Sequence, residues 1–307
     1  MTKVFIDGSA GTTGLRIYQR LAERQDIELI KLSEENRKNN DARRQAMFEA
    51  DISFLCLPDA AAIEAVELAE GSGTTIIDTS TAHRVNDDWA YGFPELTGLR
   101  DKIKTSKLIA NPGCHASGFI SLVAPLTECG IIPKDMFLSC FSLTGYSGGG
   151  KKMIAEYESE NRDSLLDAPR MYAMAQSHKH LPEMKKLCGL ENAPAFCPVA
   201  APYYSGMEVT VPLSGKDING SMADIKNAYA EYYKSGLVHF IGDASEDGFL
   251  SAGKFGGRDD MAVGVYGNEE RILLVSRFDN LGKGASGAAI QNMNIILGID
   301  EKTGLNV

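Results

Sequence analysis

The stretch Val4-Phe5-Ile6-Asp7-Gly8-Ser9-Ala10-Gly11-Thr12-Thr13-Gly14 decides the fold of this chain. Val4-Phe5-Ile6 is a short apolar run of strand type, and Gly8, Gly11 and Gly14 form a G-x-x-G-x-x-G turn. Leu15, Tyr18, Leu21 and Ala22 then recur at helical spacing, and residues 27–32 read as a strand again. Strand, glycine turn, helix, strand is the opening unit of a dinucleotide-binding parallel sheet. Glycines let the backbone approach a pyrophosphate, and the helix N-terminus attracts its charge. The commoner fingerprint is G-x-G-x-x-G, so the position of the turn carries the assignment more than its wording. Gly8, Ser9, Ala10, Gly11, Thr12, Thr13 and Gly14 are therefore expected to hold a dinucleotide. After the second strand, where a side chain that reads the ribose is expected, the chain runs Ser33-Glu34-Glu35-Asn36-Arg37-Lys38. Either glutamate suits a ribose 2′-hydroxyl, whereas Ser33 with Arg37 or Lys38 suits a 2′-phosphate.

Working outward, strand signals recur at 52–57, 75–78 and 108–110, with a helical stretch at 60–70. Continuous apolar strands alternating with helices predict a parallel sheet covered on both faces. From about residue 136 the texture changes to longer, alternating strands at 136–144, 207–213 and 261–266. The last is expected to form a hairpin with 271–278 across Gly267-Asn268-Glu269-Glu270. Ser221, with Asp224 three residues on, reads as the start of a helix over 222–234. Residues 283–297 look helical and are expected to return to the first domain. The fold class is thus α/β: a Rossmann-like parallel-sheet domain plus a mixed α/β domain. The expected division is 1–133 with 283–307 for the dinucleotide, and 134–282 for catalysis and assembly.

Composition bounds the function. The chain has 307 residues, 44% hydrophobic and 23% charged, with a net charge of −10. An acidic balance argues against a nucleic-acid partner. No apolar run approaches the ~20 residues that span a bilayer, which argues against a membrane partner. The chain enters a strand at once, which suggests no signal peptide and a cytoplasmic location. Six cysteines without a C-x-x-C pair read as reduced thiols rather than a disulfide framework.

One of them stands apart. Cys114 closes the turn Asn111-Pro112-Gly113-Cys114, between the strand Leu108-Ile109-Ala110 and an apolar, helix-compatible stretch. A thiol at a helix N-terminus loses its proton more easily, and the thiolate is the nucleophile. His178-Lys179-His180-Leu181-Pro182-Glu183 announces a helix start with a carboxylate three residues after His180, an arrangement suited to acid–base work. Its spacing to Cys188 and Cys197 fits no common zinc pattern, so no metal is expected. Arg84, after Asp78-Thr79-Ser80-Thr81-Ala82-His83, lies at the strand edge that faces ligand in open α/β sheets and could fork onto a carboxylate. Gly145-Tyr146-Ser147-Gly148-Gly149-Gly150-Lys151-Lys152 resembles a P-loop but ends in Lys152 where a hydroxyl is needed. A smaller anion remains a suitable ligand for it.

In their order and spacing these segments, with Gly92-Phe93-Pro94-Glu95 and Asp279-Asn280-Leu281-Gly282-Lys283-Gly284-Ala285, resemble the short form of the N-acetyl-γ-glutamyl-phosphate reductase family of arginine biosynthesis. The resemblance covers nearly the whole chain. It implies a phosphorylating aldehyde dehydrogenase that runs reductively: NADPH reduces N-acetyl-L-glutamyl 5-phosphate to the 5-semialdehyde through a cysteine thioester. It implies Cys114 as nucleophile, His180 as acid–base partner and Glu183 beside it. The implied cofactor set extends to Ser33, Arg37, Leu57, Pro58, Ser80, Ser147, Gly148 and Asn280, and the implied substrate set is Arg84, Asn111 and Lys151. A homo-oligomer, dimer or tetramer, is the implied assembly. The chain departs from the family where His115 follows the cysteine in place of the usual aromatic residue, and where Ser117 replaces a usual threonine. That leaves His115, His178 and His180 as alternatives for the acid–base partner. Aspartate-semialdehyde dehydrogenase shares this plan and is the nearest rival, and a redox-sensing NADP-binding regulator is the rival without turnover.

Overall fold

The computed structural model describes residues 1–242 and 244–307. It divides into two compact units, Met1–Pro112 with Ala285–Leu305 and Gly113–Gly284 with Asn306–Val307. The division at Pro112/Gly113 falls one helix earlier than the expected join at 133/134. The cause is that the helix Cys114–Glu128 packs on strands of the second unit.

The first unit holds six strands: β1 (Thr2–Asp7), β2 (Ile27–Ile30), β3 (Ile52–Leu55), β4 (Thr75–Asp78), β5 (Ala90–Tyr91) and β6 (Leu108–Ala110). They form one parallel sheet in the order β2-β1-β3-β4-β6-β5. Between them run α1 (Thr12–Ala22), α2 (Asn40–Glu49), α3 (Asp59–Leu68) and α4 (Leu99–Thr105). Alternate side chains of β1 enter opposite layers. Val4 and Ile6 join Ile17, Leu21, Phe54 and Ile77 on one face, and Phe5 joins Met47, Leu55, Ile76 and Trp89 on the other. The C-terminal helix Gly287–Ile296 closes the first of these layers with Ile290 and Met293. It is preceded by a π turn, Gly282–Ser286, so the helical reading of 283–297 holds with a widened first turn. Because β2 and β3 flank β1, the strand order reverses at β1, the place where open α/β sheets bind ligand.

The second unit is a seven-stranded mixed sheet built from β7 (Ser139–Gly145), β8 (Arg170–Met171), β9 (Ala195–Ala201), β10 (Met207–Ser214), β11 (Val238–Phe240), β12 (Met261–Gly267) and β13 (Arg271–Phe278). Its order is β11-β12-β13-β10-β7-β9-β8. The expected hairpin is present, with Met261 opposite Phe278 and Gly267 opposite Ile272. Two pairs, β7 with β9 and β11 with β12, run parallel, which makes the sheet mixed. Its helices are α5 (Cys114–Glu128), α6 (Gly150–Glu158), α7 (Leu181–Leu187) and α8 (Met222–Tyr232). Ser221 and Asp224 make the full capping box at the start of α8. α5 is buried from His115 to Thr127 and lies against β10 and β13. It fits there because Gly118 has no side chain: a Cβ would stand 2.4 Å from Val209 Cγ2. Pro125 inside α5 has no N–H for the Ser121 carbonyl, and the Tyr233 hydroxyl donates to that carbonyl instead at 2.6 Å. No helix among the described residues is long and apolar enough to cross a membrane.

Candidate active site

The glycine turn of the first unit forms one wall of a cleft of about 430 Å³ at the C-terminal end of β1. Gly8, Ser9, Ala10 and Gly11 line it, with Leu57 and Pro58 after β3 and with Lys31, Glu34, Arg37 and Lys38 after β2. Gly8 adopts φ +85°, and a Cβ there would lie 2.3 Å from the Cys56 carbonyl oxygen. Only glycine serves at such a position. A Cβ on Gly14 would meet the Gly8 oxygen at 2.5 Å, so Gly14 lets α1 close onto the turn. Gly11 supplies the N-cap of α1 with no side-chain cap, and Thr12, Thr13 and Gly14 form the first turn behind it. A cleft floored by backbone and a bare helix N-terminus fits a dinucleotide pyrophosphate. Of the residues expected to read the ribose, Arg37 lines the cleft and pairs with Glu34 at 2.8 Å, whereas Ser33 is exposed and stands outside the lining. Ser80 is also outside it, its hydroxyl donating to Asp78 at 2.7 Å.

Arg84 and Asn111 brace the chain ahead of Cys114. Arg84 donates from Nε to the Asn111 carbonyl at 2.9 Å and from Nη2 to the Thr79 carbonyl at 3.0 Å. The Asn111 carboxamide donates to the Ala285 carbonyl at 3.0 Å and receives Asn292 Nδ2 at 3.3 Å. Arg84 and Asn111 thus hold the two points at which the chain leaves and re-enters this unit.

In the second unit Cys114 is the first residue of α5, after Gly113, which again provides no side-chain cap. Gly284 approaches it so closely that an added Cβ would stand 2.9 Å from the Cys114 Cβ. Glu183, buried in the first turn of α7, accepts the Gly113 N–H at 3.2 Å through Oε2. Its Oε1 lies 3.9 Å from His180 Nε2, an ion-pair distance rather than a hydrogen bond. His180 and Glu183 thus stand side by side, and the same carboxylate fixes the residue before Cys114.

All three candidate histidines meet here. Ring centroids are 4.6 Å apart for His178 and His180, 5.6 Å for His115 and His180, and 5.9 Å for His115 and His178. His178 accepts the His180 backbone N–H at 3.2 Å through Nδ1. His115 is fully enclosed. Its Nδ1 meets Ser142 Oγ at 2.7 Å and its Nε2 meets the Tyr172 hydroxyl at 2.6 Å. Burial above all, and then His178, depress its pKa to about 3, so its ring is neutral. That removes His115 as a proton carrier near neutral pH and leaves His180 and His178. The Cys56 thiol is pushed up to about 12 by burial, and burial also drives the Cys140 and Cys188 thiols well above the ordinary range. These three are poor nucleophiles.

The P-loop-like segment becomes a 3₁₀ turn, Tyr146–Gly149, followed by α6. Ser147 Oγ accepts Asn280 Nδ2 at 2.9 Å, and Asn280 Oδ1 accepts the Gly206 N–H at 2.9 Å. Gly148 lies beside this pair: a Cβ there would be 3.6 Å from Asn280 Nδ2. Lys151 is exposed in the first turn of α6. Ser142, Tyr172 and Gly284 carry no local motif of their own, so the sequence gives no signal for them beyond the Asp279–Ala285 segment that contains Gly284.

Comparison with known proteins matches both units. Residues 3–106 match the family model described as semialdehyde dehydrogenase, NAD binding domain, and residues 114–280 match semialdehyde dehydrogenase, dimerisation domain. Proteins of Brucella suis and Brucella ovis named N-acetyl-gamma-glutamyl-phosphate reductase are 45% identical over 306 residues, 96% of this chain and 99% of each relative. The chain belongs to the N-acetyl-γ-glutamyl-phosphate reductase family. Solved structures share the fold at lower identity. Aspartate semialdehyde dehydrogenase II of Vibrio cholerae superposes with a TM-score of 0.73 at 15% identity, covering 97% of this chain and 98% of that one. The Candida albicans aspartate semialdehyde dehydrogenase with NADP gives 0.72 at 17% identity, covering 97% and 98%. At such identities the likeness speaks for the fold alone. Membership of the reductase family rests on the Brucella relatives.

Proposed function

We propose that the protein reduces N-acetyl-L-glutamyl 5-phosphate to N-acetyl-L-glutamate 5-semialdehyde with NADPH, releasing phosphate. The observation that carries this reading is Cys114 at the head of α5, with Glu183 on the preceding N–H and the next residue, His115, clustered with His178 and His180. The 45% identity to named reductases along the full chain supports the choice of substrate. The Cys114 thiolate attacks the acyl carbon and expels phosphate, leaving a thioester. NADPH held along the glycine cleft supplies the hydride for its reduction. His180 delivers a proton to the oxygen of the resulting thiohemiacetal and takes it back as collapse frees the aldehyde and restores the thiolate. Glu183 holds the Gly113 backbone and faces the His180 ring. Gly8 to Gly11 receive the pyrophosphate, and Arg37 reads the 2′-phosphate. Arg84 and Asn111 act on the substrate site through the backbone they brace. Lys151 supplies a positive charge for phosphate.

The chain works as a homo-oligomer, in keeping with the dimerisation domain of its family, and in the cytoplasm. The test is phosphate-dependent NADP reduction with N-acetylglutamate semialdehyde beside aspartate semialdehyde. Turnover with the acetylated substrate and a Cys114→Ser variant that binds NADP without turnover are expected. Preference for aspartate semialdehyde would assign the rival enzyme, and no turnover with either would assign the redox-sensing regulator.

A further inference from the structure

Among the described residues, five charged side chains line the glycine cleft: Asp7, Lys31, Glu34, Arg37 and Lys38. Their partners differ, and the difference decides what the cleft can select. Asp7 is buried at the end of β1 and accepts Arg43 Nε of α2 at 2.9 Å. Arg43 also donates to Glu64 of α3 at 3.0 Å. The Asp7 charge is thus compensated from outside the cleft. Lys31 follows β2 and lies over the Tyr18 ring, 5.1 Å from its centroid. Glu34 is the other acid, and both its oxygens hold Arg37. Arg37 Nη1 donates to Oε1 at 3.0 Å, and Nη2 stands 2.8 Å from Oε2.

The backbone sets this pair up. The Ser33 carbonyl accepts the N–H groups of both Asn36 and Arg37, each at 3.0 Å. That turn brings Glu34 and Arg37 side by side, three positions apart. Asn39 then caps α2, and Arg43 ties α2 to β1. A guanidinium that already carries a carboxylate across Nη1 and Nη2 offers a phosphate little net charge. The carboxylate also repels a dianion brought to the same group. A ribose hydroxyl is neutral and meets no such repulsion; it can donate to the carboxylate.

We propose that Glu34 sets the choice between NADPH and NADH: it competes with the 2′-phosphate for Arg37 and accepts the 2′-hydroxyl of NADH in its place. The cleft therefore takes both dinucleotides, and Glu34 narrows the preference for NADPH. Lys31 and Lys38 supply the positive charge that keeps the balance on the side of the phosphate. The proposal rests on reading Arg37 as the residue that meets the 2′-phosphate.

The test is the binding of NADP and of NAD to the free protein, measured by isothermal titration calorimetry. The two ligands differ only in the 2′-phosphate, and no turnover is needed, so the outcome is separate from the choice of acyl substrate. Wild type should bind both. Glu34→Gln should tighten NADP by about three- to tenfold at low salt, a modest factor because Glu34 is exposed and water screens it. The same variant should weaken NAD. The gain should fade toward ~1 M salt, where the screening length falls to about 3 Å. Glu35→Gln is the control, the same change of charge at an exposed residue outside the lining, and should leave the ratio of the two affinities at its wild-type value. A wild type that binds no NAD, an unmoved or lowered preference for NADP in Glu34→Gln, or an equal gain in Glu35→Gln would overturn the proposal. Arg37→Ala separates the two failures. If it weakens NADP while Glu34→Gln leaves the ratio unmoved, only the role of Glu34 falls; if it leaves NADP binding intact, the reading of Arg37 falls and the proposal with it.

Discussion

Gly284→Ala tests how tightly Cys114, the proposed nucleophile, is seated. The glycine lies outside the left-handed region, so alanine meets no backbone penalty there. Its methyl would stand 2.9 Å from the Cys114 Cβ, 3.1 Å from the Asp279 carbonyl oxygen and 3.2 Å from Phe278 Cε2. Carbon contacts settle near ~3.5–4.0 Å, so something must retreat by roughly half an ångström to one ångström. Asp279 is poorly able to yield. Its carbonyl accepts the Gly282 and Gly284 N–H groups, and its carboxylate accepts Ser205, Leu281 and Gly282. Phe278 is fully buried against α5. The displacement therefore falls on Cys114 and the first turn of α5. Misplacing a reacting atom by ~1 Å can cost about 10²-fold, so kcat/KM should fall by about 10- to 100-fold. Overpacking should also cost about 1–3 kcal/mol of stability. Steady-state NADP reduction and a urea melt read the two effects. Gly242→Ala, with nothing within 4 Å of the new methyl, is the control. A Gly284→Ala enzyme with wild-type kcat/KM and wild-type stability would refute the seating argument.

Three further outcomes are expected. His180→Asn should lower kcat by about 10²–10⁴, the usual range for a lost acid–base group, and His178→Asn by much less. Reversed effects in kcat would exchange the two roles. Arg37→Ala should raise KM for NADPH by about tenfold and leave KM for NADH nearly unchanged; the lower end of the usual range applies because the guanidinium is half exposed and shared with Glu34. Equal loss for both cofactors would remove Arg37 from the 2′-phosphate site. His115 has a folded pKa of about 3 against an ordinary 6.5, so in that window the unfolded chain binds the extra proton. The stability this neutral ring contributes is therefore present above 6.5 and lost as pH falls toward 3, by an amount on the order of 5 kcal/mol over the whole window. Urea midpoints at neutral pH and in the middle of the window should show about half of that loss in wild type, and His115→Phe should lack this component.

Much of the fold was legible because local pattern and tertiary role coincide. The glycine turn, the β12–β13 hairpin and the capping box of α8 are all local, set by residues within a few positions of one another. Elements that escaped reading were short or polar. α2 is an amphipathic helix of low hydrophobicity that Asn39 caps by accepting the Ala42 N–H. β5 has only two residues, held by pairing with β6. The division at Pro112 was also hidden, since α5 reads as a continuation of the first domain until its contacts with β10 and β13 are known.

By itself the sequence determined the class of fold, the cysteine on which to bet and the segments that surround it. It did so through spacing, because glycine turns, caps and helix starts act over a few residues. The family followed from motif order alone, and the Brucella relatives bear it out. Tertiary structure alone decided how the three histidines differ. His115, His178 and His180 are interchangeable as letters. Burial between Ser142 and Tyr172 makes the first neutral, while Glu183 faces the last and grips the backbone before Cys114. The physical reason is that pKa and proton direction depend on desolvation and on partners from β7, the loop after β8 and α7. These partners lie 27, 57 and 70 positions away along the chain, measured as Ser142 and Tyr172 from His115 and Glu183 from Gly113. No local pattern encodes such contacts.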